Sequence, residues 1–219
     1  MTVVIDNAIP LYLFAKAPIA GEVKTRMFPQ LTPESSAALA HKMLEQSLDK
    51  ICESWPGKVI LTVAPDRDHP AFKTLSSKYD FTFTVQVLGS LGHRMLTVLK
   101  QGIEESGAAV VMGCDVPHFD AEVLLSTYQL LKTGRNVVGP AEDGGFYLLG
   151  LNQVDEALFY GVQWGGERVL LDVKKNAEKI PISLVDVKTL RDIDNWSDLQ
   201  WLIQQDTQYQ VFTSVFDDK

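Results

Sequence analysis

The chain has 219 residues, 46% hydrophobic and 22% charged, the balance of a soluble globular protein able to bury one large core. Its 28 acidic residues outnumber 20 basic ones, for a formal net charge of −8, which argues against a general nucleic-acid binder. Two cysteines without CxxC spacing argue against a disulfide framework or a zinc site, and the N-terminal apolar run is too short for a membrane span, so a cytoplasmic protein is expected.

Leu11 to Lys16 reads as a central strand. A loop follows, Lys16-Ala17-Pro18-Ile19-Ala20-Gly21-Glu22-Val23-Lys24-Thr25-Arg26, with three cations in eleven residues of an acidic protein. Loops at the carboxyl ends of strands can wrap phosphates with backbone amides, and Lys24 and Arg26 would add charge. It is not a P-loop, because Val23 stands where the glycine before the lysine is required. Pro33 to Ser54 reads as a helix with Thr32 as N-cap and Pro33 at its first position, its apolar side marked by Leu39, Met43, Leu44, Leu48 and Ile51.

Lys58 to Ala64 is a second strand, Phe72 to Tyr79 a short helix, and Phe81 to Val87 a third strand. Asp66-Arg67-Asp68 between them reads as an ordinary turn. Ser90 caps a helix from Leu91 to Ser106, on which Arg94 is placed either to reach a phosphate or to cover surface. The run from Ala108 to Met112 is apolar on both faces, as a buried parallel strand requires, and Gly113-Cys114-Asp115-Val116-Pro117 ends it. Asp115 therefore leaves the sheet at the edge where open α/β folds bind ligands, either as a cation ligand or as a cap for the next helix, Asp120 to Lys132.

Asn136 to Pro140 and Gly145 to Leu151 are strands joined by Ala141-Glu142-Asp143-Gly144, a turn that would present Asp143 and the Gly144 and Gly145 amides to an acceptor. Trp164-Gly165-Gly166 forms either a pocket wall before a helix from Gly166 to Ala177 or a plain turn. Ile182 to Val187 is the last strand, and Trp196 to Gln204 the closing helix. From about residue 206 the pattern is weak and a surface tail is expected. Between them lies Arg191-Asp192-Ile193-Asp194. Alternation in an extended segment would aim Asp192 and Asp194 at one point, and with Asp115 they would make an oxygen-rich site for Mg²⁺ or Mn²⁺. The competing assignment has Asp194 capping the helix and Asp192 paired with Arg191. No repeat or linker divides the chain, so a single layered α/β domain over 1–219 is expected.

KAPIAGEVKTR, GSLGHRM, GCDVP, GPAEDGGFYLLGL, Trp164 and the DID at 192–194 resemble an uncharacterised prokaryotic glycosyltransferase-like family, formerly a domain of unknown function. That family is similar to the GT-A superfamily of nucleotide-diphosphosugar transferases and to the guanylyltransferases that act on phospholactate or phosphoenolpyruvate. The resemblance spans about residues 11 to 200. It implies a three-layer αβα sandwich around a mostly parallel mixed sheet, a nucleotide near Lys16, Gly21, Lys24 and Arg26, and a divalent metal on Asp115, Asp192 and Asp194. The chain departs from the family at Ser90 and His93, where carboxylates are usual, and at Gly165-Gly166, where Ser-Thr follows the tryptophan.

The expected function is metal-dependent transfer from a nucleotide-activated donor to a small-molecule acceptor. Lys24, Thr25 and Arg26 would serve the donor phosphates, Asp115 the metal, and Asp143 the acceptor hydroxyl. Transfer from a nucleotide sugar comes first and nucleotidyl transfer from a triphosphate second. A nucleotide-binding relative without turnover is the alternative of a different class.

Overall fold

The computed structural model describes residues 8–213. Seven strands, β1 (Leu11–Lys16), β2 (Val59–Ala64), β3 (Thr82–Val85), β4 (Ala109–Gly113), β5 (Asn136–Pro140), β6 (Phe146–Leu151) and β7 (Leu184–Asp186), form one sheet in the order β3-β2-β1-β4-β6-β5-β7. All neighbours are parallel except β6, which runs antiparallel to both β4 and β5. Six α-helices alternate with them among the described residues: α1 (Pro33–Ser54), α2 (Pro70–Ser76), α3 (Leu91–Ser106), α4 (Ala121–Lys132), α5 (Val169–Ala177) and α6 (Trp196–Gln205).

The alternation of side chains along β1 builds two cores. Leu11, Leu13 and Ala15 share one with Leu44, Leu48 and Ile51 of α1 and Val123 and Leu124 of α4. Tyr12 faces the other, with Met95, Val98 and Leu99 of α3 and Val169 and Val173 of α5. The result is the αβα sandwich around a mostly parallel mixed sheet. The helices start where the caps predict: Thr32 accepts the Ser35 N–H, Ser90 that of His93, and Asp120 that of Val123. Gly107, at φ +77°, ends α3.

Three expectations need correction. The edge strands β3 and β7 are shorter than the apolar runs that suggest them, since an edge strand has one neighbour to hold its ends. Helix α5 begins at Val169 rather than Gly166, because Gly165 takes φ +84° and Arg168 opens the helix without a side-chain cap. The expected surface tail starts otherwise: Thr207–Phe212 forms a 3₁₀ turn whose Tyr209 and Phe212 are buried with Met27, Leu31 and Ile193, and residues 214–219 lie outside the described residues. No helix among the described residues is long and apolar enough to cross a membrane.

Candidate functional site

Strand β1 lies between β2 and β4, so the chain departs from it in both directions and leaves a crevice at the carboxyl ends of β1 and β4. The loop after β1 turns at Gly21 (φ +84°) and again at Lys24, the one non-glycine residue with positive φ among the described residues (φ 49°). A left-handed lysine costs roughly 1–2 kcal/mol, and its side-chain contacts offset that cost. Lys24 Nζ donates to Asp115 Oδ1 at 2.5 Å, to the Ile193 carbonyl at 2.6 Å and to Asp194 Oδ1 at 3.0 Å. Burial alone would lower its pKa, but the Asp115 and Asp194 carboxylates outweigh burial and hold the ammonium above its ordinary value. Arg26 reaches the other oxygen of Asp194 at 3.3 Å.

Each of these side chains has a local reason for its place. The Ile193 N–H donates to the Asp115 carbonyl at 2.9 Å, which pins the 191–194 segment to the end of β4. Ile193 is buried, and the carboxylates on either side are half-buried. Asp194 does not cap α6, because Asn195 does so in a reciprocal capping box with Asp198. Arg191 does not pair with Asp192: it bonds Glu142 at 2.8 Å and lies over the Trp201 ring. Asp115 does not cap α4 either, a role taken by Asp120.

The expected carboxylate triad is only two-thirds assembled. Asp115 and Asp194 meet, but Asp192 does not join them. Its carboxyl is pushed up to about 6, chiefly by burial and then by the Asp143 carboxylate, with Asp194 a lesser neighbour. No three His, Cys, Asp or Glu side chains are grouped to hold a metal among the described residues. Instead, three oxygens, from Asp115, Asp194 and the Ile193 carbonyl, surround one point, and the Lys24 ammonium fills it. Hard oxygen donors around a single cation are the right chemistry for Mg²⁺ or Mn²⁺, with two carboxylates rather than three.

The cleft has two lobes that share Phe14, Leu91, Cys114 and Asp115. The first, about 360 Å³, is walled by Lys16, Thr25, Arg26 and Gln86 besides Lys24 and Asp194. Lys16 donates to the Glu22 carbonyl at 2.8 Å and holds the loop closed on itself. Gly21 shapes this loop without lining the lobe, and Arg94 stands behind it, bonded to the Gly89 carbonyl and Gln86 Oε1. Gln86 is a polar wall residue that no sequence pattern marks.

The second lobe, about 290 Å³, runs between Asp115 and Asp143 over Met95, Phe146, Tyr147 and Trp164. The expected role of the Gly144 and Gly145 amides is not available here. Gly144 N–H donates to the Ala141 carbonyl and Gly145 N–H to Asp143 Oδ1 at 2.8 Å. Gly144 is there for close packing: a Cβ at this φ +88° position would lie 1.9 Å from the Glu167 carbonyl oxygen. Trp164 is the pocket wall, closing on Gly92, where a Cβ would meet its ring at 2.6 Å. Burial pushes the Cys114 thiol up to about 12, so it is no nucleophile.

No curated protein matches the chain. Among solved structures, one from Desulfovibrio desulfuricans G20, described as a nucleotide-diphospho-sugar transferase, is 22% identical with a TM-score of 0.82, over 95% of this chain and 92% of that one. The 4-diphosphocytidyl-2C-methyl-D-erythritol synthase of Anaerococcus prevotii DSM 20548 is 15% identical with a TM-score of 0.56, over 96% and 100%. The glucosyl-3-phosphoglycerate synthase of Mycobacterium tuberculosis, determined with Mn²⁺, UDP and glucosyl-3-phosphoglycerate, is 11% identical with a TM-score of 0.52, over 94% and 78%. At these identities the likeness establishes the nucleotide-diphospho-sugar transferase fold. Residues 47–166, more than half of the chain and the stretch that carries β4, Asp115, Asp143 and Trp164, match a sequence family, and the chain belongs to it: the uncharacterized bacterial proteins of DUF2064.

Proposed function

We propose that this protein is a metal-dependent transferase that uses a nucleotide-activated donor, with glycosyl transfer to a small acceptor as its reaction. The observation that carries this reading is the sharing of Asp115 by two lobes of one cleft. One lobe offers Lys24 and Arg26 to phosphates, and the other offers an apolar floor with Asp143 at its end. The neighbours that bind UDP or make a diphosphocytidyl product support a nucleotide donor, and the Mn²⁺ complex supports a divalent metal.

The roles follow from position. Asp115 and Asp194, with the donor's phosphate oxygens, would hold Mg²⁺ or Mn²⁺, which supplies neutralisation of charge on the leaving diphosphate. Lys24 exchanges its carboxylate partners for donor phosphates, and Arg26 grips them beside it. Thr25 and Lys16 line the same lobe. Asp143 accepts the proton of the acceptor hydroxyl as it attacks the anomeric carbon. Nucleotidyl transfer is the second reading, favoured by the paired Lys24 and Arg26, which also suit a triphosphate. The two differ in product, nucleoside diphosphate or pyrophosphate.

A thermal-shift panel of nucleoside diphosphates, triphosphates and nucleotide sugars, with and without Mg²⁺ or Mn²⁺, tests the reading. A ligand at about 100 times its Kd stabilises by about 2.7 kcal/mol, a shift on the order of 5–10 °C for a chain of this length. The shift is expected to require metal and to vanish in Asp115→Asn. A flat panel with metal present, or a full shift in the variant, refutes it.

A further inference from the structure

The two lobes differ in charge, and the difference reads as selectivity. The second lobe has Asp115 at one end and Asp143 at the other. Among the described residues that line it, none is Lys, Arg or His. The cations nearby are each already paired: Lys24 with Asp115 and Asp194, Arg26 with Asp194, Arg191 with Glu142, and Arg168 with Asp172. The Gly144 and Gly145 amides are used within their own turn, so the backbone offers no anion nest.

The apolar part of the lobe is closely packed. Trp164 is wedged on Gly92 and meets Phe146 and Phe159 at ring-centroid distances of 6.4 and 5.9 Å. Asp143 spends Oδ1 on the Gly145 N–H, and Oδ2 makes no hydrogen bond among the described residues. Such a surface takes an apolar face against the indole and one donor hydroxyl at Asp143. A phosphate or carboxylate in the same place would lose its water against the Asp143 carboxylate, which no cation pairs among the described residues, with no donor in return.

Resting on the transferase reading above, we propose that the second lobe selects acceptors without anionic groups, namely uncharged polyols with an apolar face, and turns away their phosphorylated counterparts. The Gly165-Gly166 pair belongs to this selectivity. Gly166 leaves space where a side chain would otherwise stand, its nearest neighbour to a Cβ being the Gln163 carbonyl at 3.6 Å.

The test uses matched probes on the full chain without nucleotide, read by ligand-observed NMR: glucose against glucose 6-phosphate, and glycerol against glycerol 3-phosphate. Each neutral probe is expected to bind at least about tenfold more tightly than its phosphate, with the signal lost in Trp164→Ala. Gly166→Lys, at an exposed position where a Cβ meets only ordinary contact, is expected to narrow the gap by about tenfold. Tighter Trp164-dependent binding of a phosphorylated probe overturns the proposal, as does the absence of Trp164-dependent binding by any probe. An unchanged preference in Gly166→Lys also counts against it. Because no nucleotide is present, failure here is separate from failure of the donor panel, which reads the first lobe.

Discussion

Lys24 decides what the carboxylate pair can do. Its ammonium occupies the point that a divalent ion would need, so metal alone must displace a buried, triply bonded cation. Under the proposed function, a donor diphosphate would change the balance, because it would give Lys24 new anionic partners and bring oxygens to the metal. Metal binding to the wild-type protein is therefore expected to depend on nucleotide. In Lys24→Met the three oxygens lose their cation. Asp115 is half-exposed and Asp194 about a third exposed, so solvent screens their repulsion, and a loss of about 1–2 kcal/mol is expected. The same variant, without nucleotide, should gain thermal stability from Mn²⁺, with EDTA as the control. An equal Mn²⁺ shift in the nucleotide-free wild type would show that Lys24 does not hold the site. Part of this was legible in the sequence: a carboxylate at the end of a buried strand and cations in a strand-end loop mark a ligand site by position. The bond between them was not. It depends on a left-handed turn at a lysine, which no propensity favours, and on Asn195 relieving Asp194 of the cap.

Elements were legible where local chemistry fixes their ends. Thr32-Pro33, Ser90 and Asp120 each accept or supply what a helix start requires, and those helices begin there. Where tertiary packing fixes the end, sequence reasoning fails: the start of α5 is spent on the close approach of the 165–168 segment to Gly144. The docking of α6 is another such contact. Trp201 of α6 lies edge-on to His118, with ring centroids 4.9 Å apart, and Arg191 covers the same indole. Burial, and then Lys50 and Lys188, lower the His118 pKa to about 4, against a weaker opposing pull from Glu142. The imidazole is thus neutral when folded and titrates at its ordinary, higher pH when unfolded. Its contribution to stability is present above about 6.5 and is lost as pH falls toward about 4. The loss is about 1–2 kcal/mol after allowance for solvent. His118→Phe keeps a ring against Trp201 and cannot be protonated, and its buried Nδ1 has no partner to lose. Urea melts at pH 7 and pH 4.5 should show the wild type losing more stability than the variant. Parallel losses would assign the acid sensitivity to other groups.

At the scale of the whole molecule the cleft is assembled from distant segments: the loop after β1, the end of β4, the β5–β6 turn, the 164–166 wall and the 191–194 strap. Its stiffness must come from packing that ties them together. The segment after α6 supplies one such tie. Tyr209 is fully buried in a cluster with Met27 and Leu31, which follow Arg26, and with Ile193, whose carbonyl holds Lys24. Its hydroxyl bonds Gln46 of α1. The sequence hid this because a short 3₁₀ turn has too few residues to show a period, and Tyr209 and Phe212 among polar neighbours carry no partner information. The consequence is that a residue remote from Lys24 and Asp115 supports both sides of the first lobe. Tyr209→Ala is expected to cost about 3–5 kcal/mol and to lower Tm on the order of 10 °C. Stability alone would be uninformative, so the comparison is Leu131→Ala, a fully buried truncation in the core on the α4 side, away from the cleft. At a temperature where both variants are folded, Tyr209→Ala should weaken nucleotide binding several-fold while Leu131→Ala leaves it unchanged. If the two bind nucleotide equally well, the 207–212 turn adds stability without shaping the site, and the loop after β1 owes its form to Lys24 and its carboxylates alone.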